Sequence, residues 1–223
     1  QRQMCIRDSP APESGSILDA VLALDIHLPH LCKDDNLPPI GACRTCLVEA
    51  DGRVVAACHT PAAGVSEVLT NSERVVRLRR EVLRLTSRMH GPEPDVAGGP
   101  RSGEIWAAYE EHGLERPTFP RRVRDGIDAT SPFFEFEEQA CILCGRCVTA
   151  CQQLQHIGAI GIAGTATAAR VTPGAGATFA SSMCTACGSC VAACPTHALR
   201  PKPMSDPVQS GRPRRRGHGT EDG

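Results

Sequence analysis

Two stretches of this chain carry the same cysteine spacing. Cys141, Cys144, Cys147 and Cys151 form a C-x2-C-x2-C-x3-C run, and Cys184, Cys187, Cys190 and Cys194 repeat it, with Pro195 directly after the last cysteine. This spacing is the ligand pattern of a chain that folds around two 4Fe–4S cubanes. Three thiolates come from one tight loop, and the fourth, expected at the start of the following helix, crosses to the other cluster. The expected sets are Cys141, Cys144, Cys147 and Cys194 for one cubane, and Cys184, Cys187, Cys190 and Cys151 for the other. Crossed ligation would fasten the two halves together and make the clusters part of the core. Pro195 has no N–H to donate and bends the chain away from the fourth ligand. Zinc remains an alternative, but it takes four ligands, usually as two C-x2-C pairs or a Cys and His mixture. Two identical four-cysteine runs fit it poorly. Disulfides are disfavoured as well: no secretory signal is read in the chain, and thiols at this spacing suit a metal better than a bridge.

Composition points the same way. A chain of 223 residues can hold one medium domain or two to three small ones. Only 3% of it is aromatic, little for an ordinary core, and its thirteen cysteines imply that metal centres replace much of that core. The net charge of −1 sets up no global field for nucleic acid. No apolar run is long enough to span a membrane.

Residues 1–9 carry no helical or strand period. They resemble the translation of a sequencing adapter and are set aside from fold reasoning, the alternative being a disordered native N-terminus. With Cys5 aside, twelve cysteines remain, three sets of four. The third set is Cys32, Cys43, Cys46 and Cys58. Ser16 is placed to cap a short helix, with Asp19 completing a reciprocal cap. Ile17, Leu18, Val21, Leu22 and Leu24 form its apolar face. Leu47 to Ala50 and Arg53 to Ala57 flank Asp51-Gly52, a strong two-residue hairpin signal. The hairpin would bring Cys46 and Cys58 to one end, beside the loop of Cys32 and Cys43. C-x10-C-x2-C-x11-C is the looser spacing of a 2Fe–2S site, with Gly41 letting backbone N–H groups approach sulfur. Four unrelated buried cysteines are the plainer alternative.

Three segments then carry a resemblance: "LPHLCKDDNLPPIGACRTCLVEADGRVVAACHTP", "CILCGRCVTACQQLQHIGAIGIAG" and "CTACGSCVAACPTHAL". They are similar to the N-terminal iron–sulfur region shared by the NAD-dependent formate dehydrogenase alpha subunit, the large iron–sulfur subunit of complex I, the small diaphorase subunit of NAD-reducing hydrogenases, and iron-only hydrogenases. The formate dehydrogenase type resembles it most. The resemblance covers residues 11–200. It implies an α+β protein: a β-grasp 2Fe–2S domain over 10–70, a helical linker over 71–131, and a two-cluster bacterial-ferredoxin-like domain over 132–200. It places the 2Fe–2S ligands on Cys32, Cys43, Cys46 and Cys58, and the paired cubane ligands on the eight cysteines above. It implies electron transfer in the cytoplasm between a flavin or NAD-handling subunit and a molybdopterin or hydrogenase catalytic subunit. A free-standing ferredoxin-like carrier, or one end of a longer enzyme, are the alternatives.

Two departures stand out. The family's β-grasp starts with a hairpin before the helix, yet only Pro10 to Gly15 precede Ser16. A truncated first domain is therefore expected, with part of the Ile17, Val21 and Leu22 face exposed. The family also carries an H-x3-C-x2-C-x5-C box for an extra cubane. His90 stands where its histidine would be, but no cysteine occurs between Cys58 and Cys141.

Between the cysteine sets, Thr70-x-x-Glu73 reads as a capping box. Val75, Leu78, Val82, Leu85 and Met89 read as the apolar stripe of a helix. Arg74, Arg77, Arg80, Arg84 and Arg88 form either a solvated face or a docking face for an acidic partner. Residues 91–103 are expected as a loop, 104–113 as a short helix, and Arg170 to Thr172 as part of a strand pair. Residues 201–223, with Arg212, Arg214, Arg215 and Arg216, read as a disordered tail rather than a nucleic-acid arm. His27, His30, His59, His156 and His197 are scattered and read as packing or surface residues. No nucleotide fingerprint and no nucleophile–base pair is read, so the chain is not expected to catalyse alone.

Overall fold

The computed structural model describes the backbone of residues 5–6 and residues 15–89, 104–114, 126–165, 168–174 and 177–203. The expectations for His90, the 91–103 loop, most of residues 1–14 and the tail beyond residue 203 lie outside the described residues.

In the first unit, a four-stranded antiparallel sheet runs in the order β1–β4–β2–β3. Its strands are β1 (Cys5–Ile6), β2 (Leu47–Ala50), β3 (Arg53–Ala56) and β4 (Val68–Leu69). β2 and β3 are joined at Asp51-Gly52, where both residues have positive φ, 46° and 75°. That is the backbone a tight hairpin turn asks for. β1 lies in the stretch where the sequence shows no strand period. Its backbone pairs Cys5 opposite Leu69 and Ile6 opposite Val68, and backbone pairing leaves no trace in a hydrophobic pattern.

Helix α1 (Ile17–Leu22) starts with the expected reciprocal cap. The Ser16 hydroxyl accepts from Asp19 N, and the Asp19 carboxylate accepts from Ser16 N at 2.8 Å. Its apolar face is covered more completely than the sequence suggests. Ile17 is 2% exposed and Val21 1%, because Ile17 N donates to Thr60 O and Ala62 N to Gly15 O, drawing residues 57–62 across the helix. Leu22 is half-buried, whereas Leu24 lies beyond the helix and is exposed.

Helix α2 (Glu73–Met89) corrects two expectations. Its cap is Ser72, whose hydroxyl accepts from Val75 N and donates to Glu49 on β2 at 2.8 Å. The Thr70 hydroxyl is buried with no hydrogen-bond partner among the described residues. The buried face runs through Val75, Arg79, Leu83, Thr86 and Ser87, and Leu85 is 63% exposed. The helix is rotated from its most apolar stripe because its basic residues offer one that seals inward: Arg79, 2% exposed, donates to Thr70 O. Burial pulls the Arg79 pKa down, partly offset by attraction to Glu111 and Cys46.

The second unit holds a three-stranded sheet, β5 (Ile127–Asp128), β6 (Phe134–Glu137) and β9 (Leu199–Pro201), ordered β5–β6–β9. β5 precedes residue 132, so the sheet starts earlier than expected. The expected strand pair forms as β7 (Gly161–Ala163) against β8 (Arg170–Thr172). Phe134, Phe136 and Phe179 pack edge to face over this core. Between the units, helix α3 (Glu104–Glu111) buries Ile105, Ala108 and Tyr109. It packs in a shared cluster with Leu31, Leu83 and Ile142, against which Cys43 and Cys144 also rest. The stretch read as a linker is thus the filling between the two cysteine-bearing regions. Among the described residues no helix is long and apolar enough to cross a membrane.

Candidate metal centres

The eight cysteines of the repeated runs sit on two loops that repeat each other in backbone detail. In the first, Leu143 and Gly145 have positive φ, 56° and 84°; in the second, Ala186 and Gly188 have 55° and 82°. The left-handed residue turns its N–H back onto the first sulfur: Leu143 N donates to Cys141 Sγ at 3.4 Å and Ala186 N to Cys184 Sγ at 3.3 Å. Gly145 and Gly188 then act as N-caps of short helices α4 (Arg146–Thr149) and α5 (Ser189–Ala192). A left-handed cap is most readily filled by glycine. The third cysteine of each run, Cys147 or Cys190, lies in the first turn of its helix.

The fourth cysteine is not at the start of a following helix, as the spacing suggested. Cys151 lies in a π-helical turn (Ala150–Leu154) that continues α4, and Cys194 follows the end of α5. The helix spans the gap from third to fourth ligand, so its far end is what reaches across. Each fourth sulfur accepts a backbone N–H, from Ala159 at 3.2 Å for Cys151 and from Leu199 at 3.5 Å for Cys194. Such donors tune and orient metal-bound thiolates. These donors are not legible in the sequence, since a backbone N–H has no residue signature.

Two small cavities lie between these elements. One is lined by Cys141, Cys144, Cys147 and Cys194, together with Phe136, Val171 and Leu199. The other is lined by Cys184, Cys187, Cys190 and Cys151, with Phe134, Ile157 and Ile160. Burial raises the thiol pKa of Cys144 and of Cys190 to about 12, and the neighbouring cysteines of the same cavity add to the rise. Cys147 moves the same way. Thiols raised in this way give up their protons when they ligate a positively charged metal group.

The third set gathers around the Cys32 and Cys43 loop. Cys43 N donates to Cys32 Sγ at 3.4 Å, and Cys58 N to Cys46 Sγ at 3.5 Å. Cys58 stands one residue into the short 3-10 turn (Ala57–His59) after β3, so the hairpin delivers it to Cys46 as expected. Hydrogen bonds from the Cys43 and Cys58 thiols, opposed by burial, pull the Cys32 thiol well down, and those two donors are pushed up in return. Gly41, with φ 69°, turns the loop beside His59. Thr45, fully buried, braces it by accepting from Leu31 N at 3.2 Å and contacting Cys43 Sγ at 3.1 Å.

None of the twelve described cysteines forms a disulfide. Among the described residues no three Cys, His, Asp or Glu side chains converge closely enough to hold a single metal ion. The eight cysteines of the repeated runs ring two cavities instead, the arrangement that a polynuclear cluster requires, because its irons and sulfides fill the space between the thiolates. The donor set and its geometry therefore fit iron–sulfur clusters.

Comparison with known proteins agrees. Residues 7–73 match a 2Fe-2S iron-sulfur cluster binding domain, and residues 140–198 match a 4Fe-4S dicluster domain. The chain is 33% identical over 205 residues to the NADP-reducing hydrogenase subunit HndD of Solidesulfovibrio fructosivorans, covering 86% of this chain and 34% of that one. It is 35% identical over 153 residues to the NADPH-Fe(3+) oxidoreductase subunit alpha of Geobacter sulfurreducens, covering 64% and 17%. It is 30% identical over 141 residues to a formate dehydrogenase-like protein of Staphylococcus haemolyticus, covering 63% and 14%. The chain thus spans between 14% and 34% of the length of these relatives. A crystal structure of an NAD+-reducing NiFe-hydrogenase superposes with a TM-score of 0.74 at 30% identity, covering 89% of this chain and 86% of that one. A 2Fe–2S domain followed by a 4Fe–4S dicluster domain, with both sets of matches, makes this chain a member of the family of iron–sulfur regions shared by formate dehydrogenase-like proteins and NAD(P)-linked hydrogenases.

Proposed function

We propose that this chain is the electron-relay part of an NAD(P)-linked oxidoreductase. Its residues would hold one 2Fe–2S cluster on Cys32, Cys43, Cys46 and Cys58. Two 4Fe–4S clusters would sit on the crossed sets Cys141, Cys144, Cys147, Cys194 and Cys184, Cys187, Cys190, Cys151. The observation that carries this reading is the lining of the two cavities, each with three cysteines from one run and the fourth from the other. When bound, such clusters supply single-electron storage. The protein's part is to bury the thiolates, aim N–H groups at them and keep the centres close together. The first unit is read as a β-grasp domain, which its small antiparallel sheet over α1 supports. The relatives' names support partners that handle a nicotinamide cofactor on one side and oxidise formate or hydrogen on the other. The twelve described cysteines are free thiols, which would suit a cytoplasmic setting.

Iron analysis after anaerobic reconstitution tests the reading. About ten irons per chain are expected, with electron-paramagnetic signals of both cluster types on reduction. About fourteen irons would show a further cubane, and two or three zinc ions in place of iron would overturn the proposal.

A further inference from the structure

The described residues contain one charged side chain that reaches from one cysteine-bearing unit into the other under nearly complete burial. Arg146 stands in the first turn of α4, between Cys144 and Cys147, and is 4% exposed. Its guanidinium leaves its own unit. Nη2 donates to Lys33 O and, at 3.4 Å, to His30 O. Those two carbonyls bracket Leu31 and Cys32. Nη1 and Nη2 also grip both carboxylate oxygens of Glu104 on α3, at 3.0 and 2.8 Å. Around this fork the two units touch through apolar groups. Ile40 lies against Gly145, where an added Cβ would meet its side chain at 3.7 Å, and Leu37 packs with Ala150 and Ala193.

Burying a guanidinium is costly unless its partners are good. Here Nε has no acceptor among the described residues, and Glu104 is half exposed. Hydrogen bonding alone therefore leaves part of that cost unanswered. The surroundings supply the missing attraction. On one side Arg146 bonds the carbonyls that flank Cys32, and on the other it stands in the chain between Cys144 and Cys147; thiolate-ligated clusters held there would carry net negative charge. A buried cation between two anionic centres reduces their mutual repulsion at short range, where water screens little.

We propose that Arg146 is a positioning residue that holds the Cys32 loop against the Cys141 loop and raises the reduction potential of the two centres on either side of it. The proposal rests on the cluster assignment above. With clusters bound, the residue would serve one-electron exchange between neighbouring centres, one being oxidised as the other is reduced, with no bond made or broken. Glu104 is the counterweight. It orients the fork and offsets part of its charge.

Signs make this testable in the full chain, reconstituted anaerobically and titrated with a one-electron chemical reductant. Arg146→Gln should lower the potentials of the centres held by the Cys32 and Cys141 sets and leave that of the Cys184 set almost unmoved. It should also weaken the magnetic coupling between the first two when both are reduced. Arg146→Lys should keep the potentials but lose part of the coupling, because an ammonium retains the charge and lacks the fork. Glu104→Gln, at a half-exposed site that tolerates change, should move the same two potentials upward. A purely structural clamp would make Arg146→Gln and Glu104→Gln act in the same direction, and that result would overturn the proposal. So would equal shifts at all three centres, or unchanged coupling in Arg146→Gln. If Arg146→Gln does not fold, the direction of the Glu104→Gln shift alone decides. A wild-type chain that takes up no iron would instead sink the underlying cluster assignment.

Discussion

In the second unit each cavity borrows its fourth cysteine from the other half of the unit, whereas in the first unit all four cysteines come from residues 32–58. The difference decides how far damage travels. A locally gathered set depends on one loop and one hairpin, and the sheet behind it has strands of two to four residues. A crossed set ties two loops separated by some forty residues of sequence, so either loop carries both cavities. Crossed ligation, if clusters fill these cavities, would make the two halves of the region one cooperative unit and leave each site dependent on the other.

The largest expected effect tests that dependence directly. Cys194→Ser should empty the site of Cys141, Cys144 and Cys147, although these lie far upstream, while Cys58→Ser should remove only the 2Fe–2S signal. Iron content and the spectra of the two reduced variants distinguish the cases. Damage from Cys194→Ser confined to the Cys184 centre would break the comparison.

Next comes the support beneath the first unit. Arg79→Met keeps the bulk of the α2 side chain but leaves Thr70 O without its buried donor. Losing such a partner costs about 1–3 kcal/mol. The shift should appear as a lower denaturant midpoint for loss of the 2Fe–2S spectrum, with the 4Fe–4S spectra unchanged. Equal loss from both regions would show that the units unfold together.

Acid offers the converse, a perturbation of the second unit. Burial pulls the Asp128 carboxyl up, but hydrogen bonds from Thr130 and Phe179 and the charge of Lys202 outweigh it, leaving the pKa below the ordinary 3.8. Asp128 Oδ2 accepts from Phe179 N at 2.9 Å, and the Thr130 hydroxyl accepts from Ala180 N at 3.1 Å, pinning the turn that leads to Cys184. A depressed folded pKa contributes stability that is present above the unfolded value and is lost as pH falls through the folded one. Acid loosening of the Cys184 loop should therefore set in below pH 3.8. Asp128→Asn should remove that pH-dependent component, as read by backbone amide exchange of Ala180 and Ser181 in metal-free protein.

The smallest effect belongs to the cap of α1. Ser16→Ala removes the acceptor for Asp19 N and should cost about 1 kcal/mol, seen as a modest fall in the midpoint of the first unit alone. A fall of several kcal/mol would mean that α1, rather than the cysteine loop, carries that unit.

Much of this arrangement was legible in the residues themselves, for a local reason. Cysteine spacing, Asp51-Gly52 in the hairpin and Ser16 with Asp19 at the cap act within a few residues of one another, so their geometry is written where they stand. The α2 face was misread because its most apolar stripe is not the one that finds a partner: Leu85 meets water, while Arg79 meets Thr70 O. β1 was invisible because its pairing uses backbone groups that every residue has. Which loops would meet was beyond the sequence too. Arg146 reads as one more basic residue in a cysteine loop until its partners Lys33 O and Glu104 arrive from 113 and 42 residues away. Spacing along the chain already pointed to the sulfurs that line each of the two cavities and to the kind of group such sets suit. Only the tertiary structure decided how the cysteine-bearing regions are joined, because that joint is made of long-range packing around one buried charge, and no short stretch of sequence contains both of its sides.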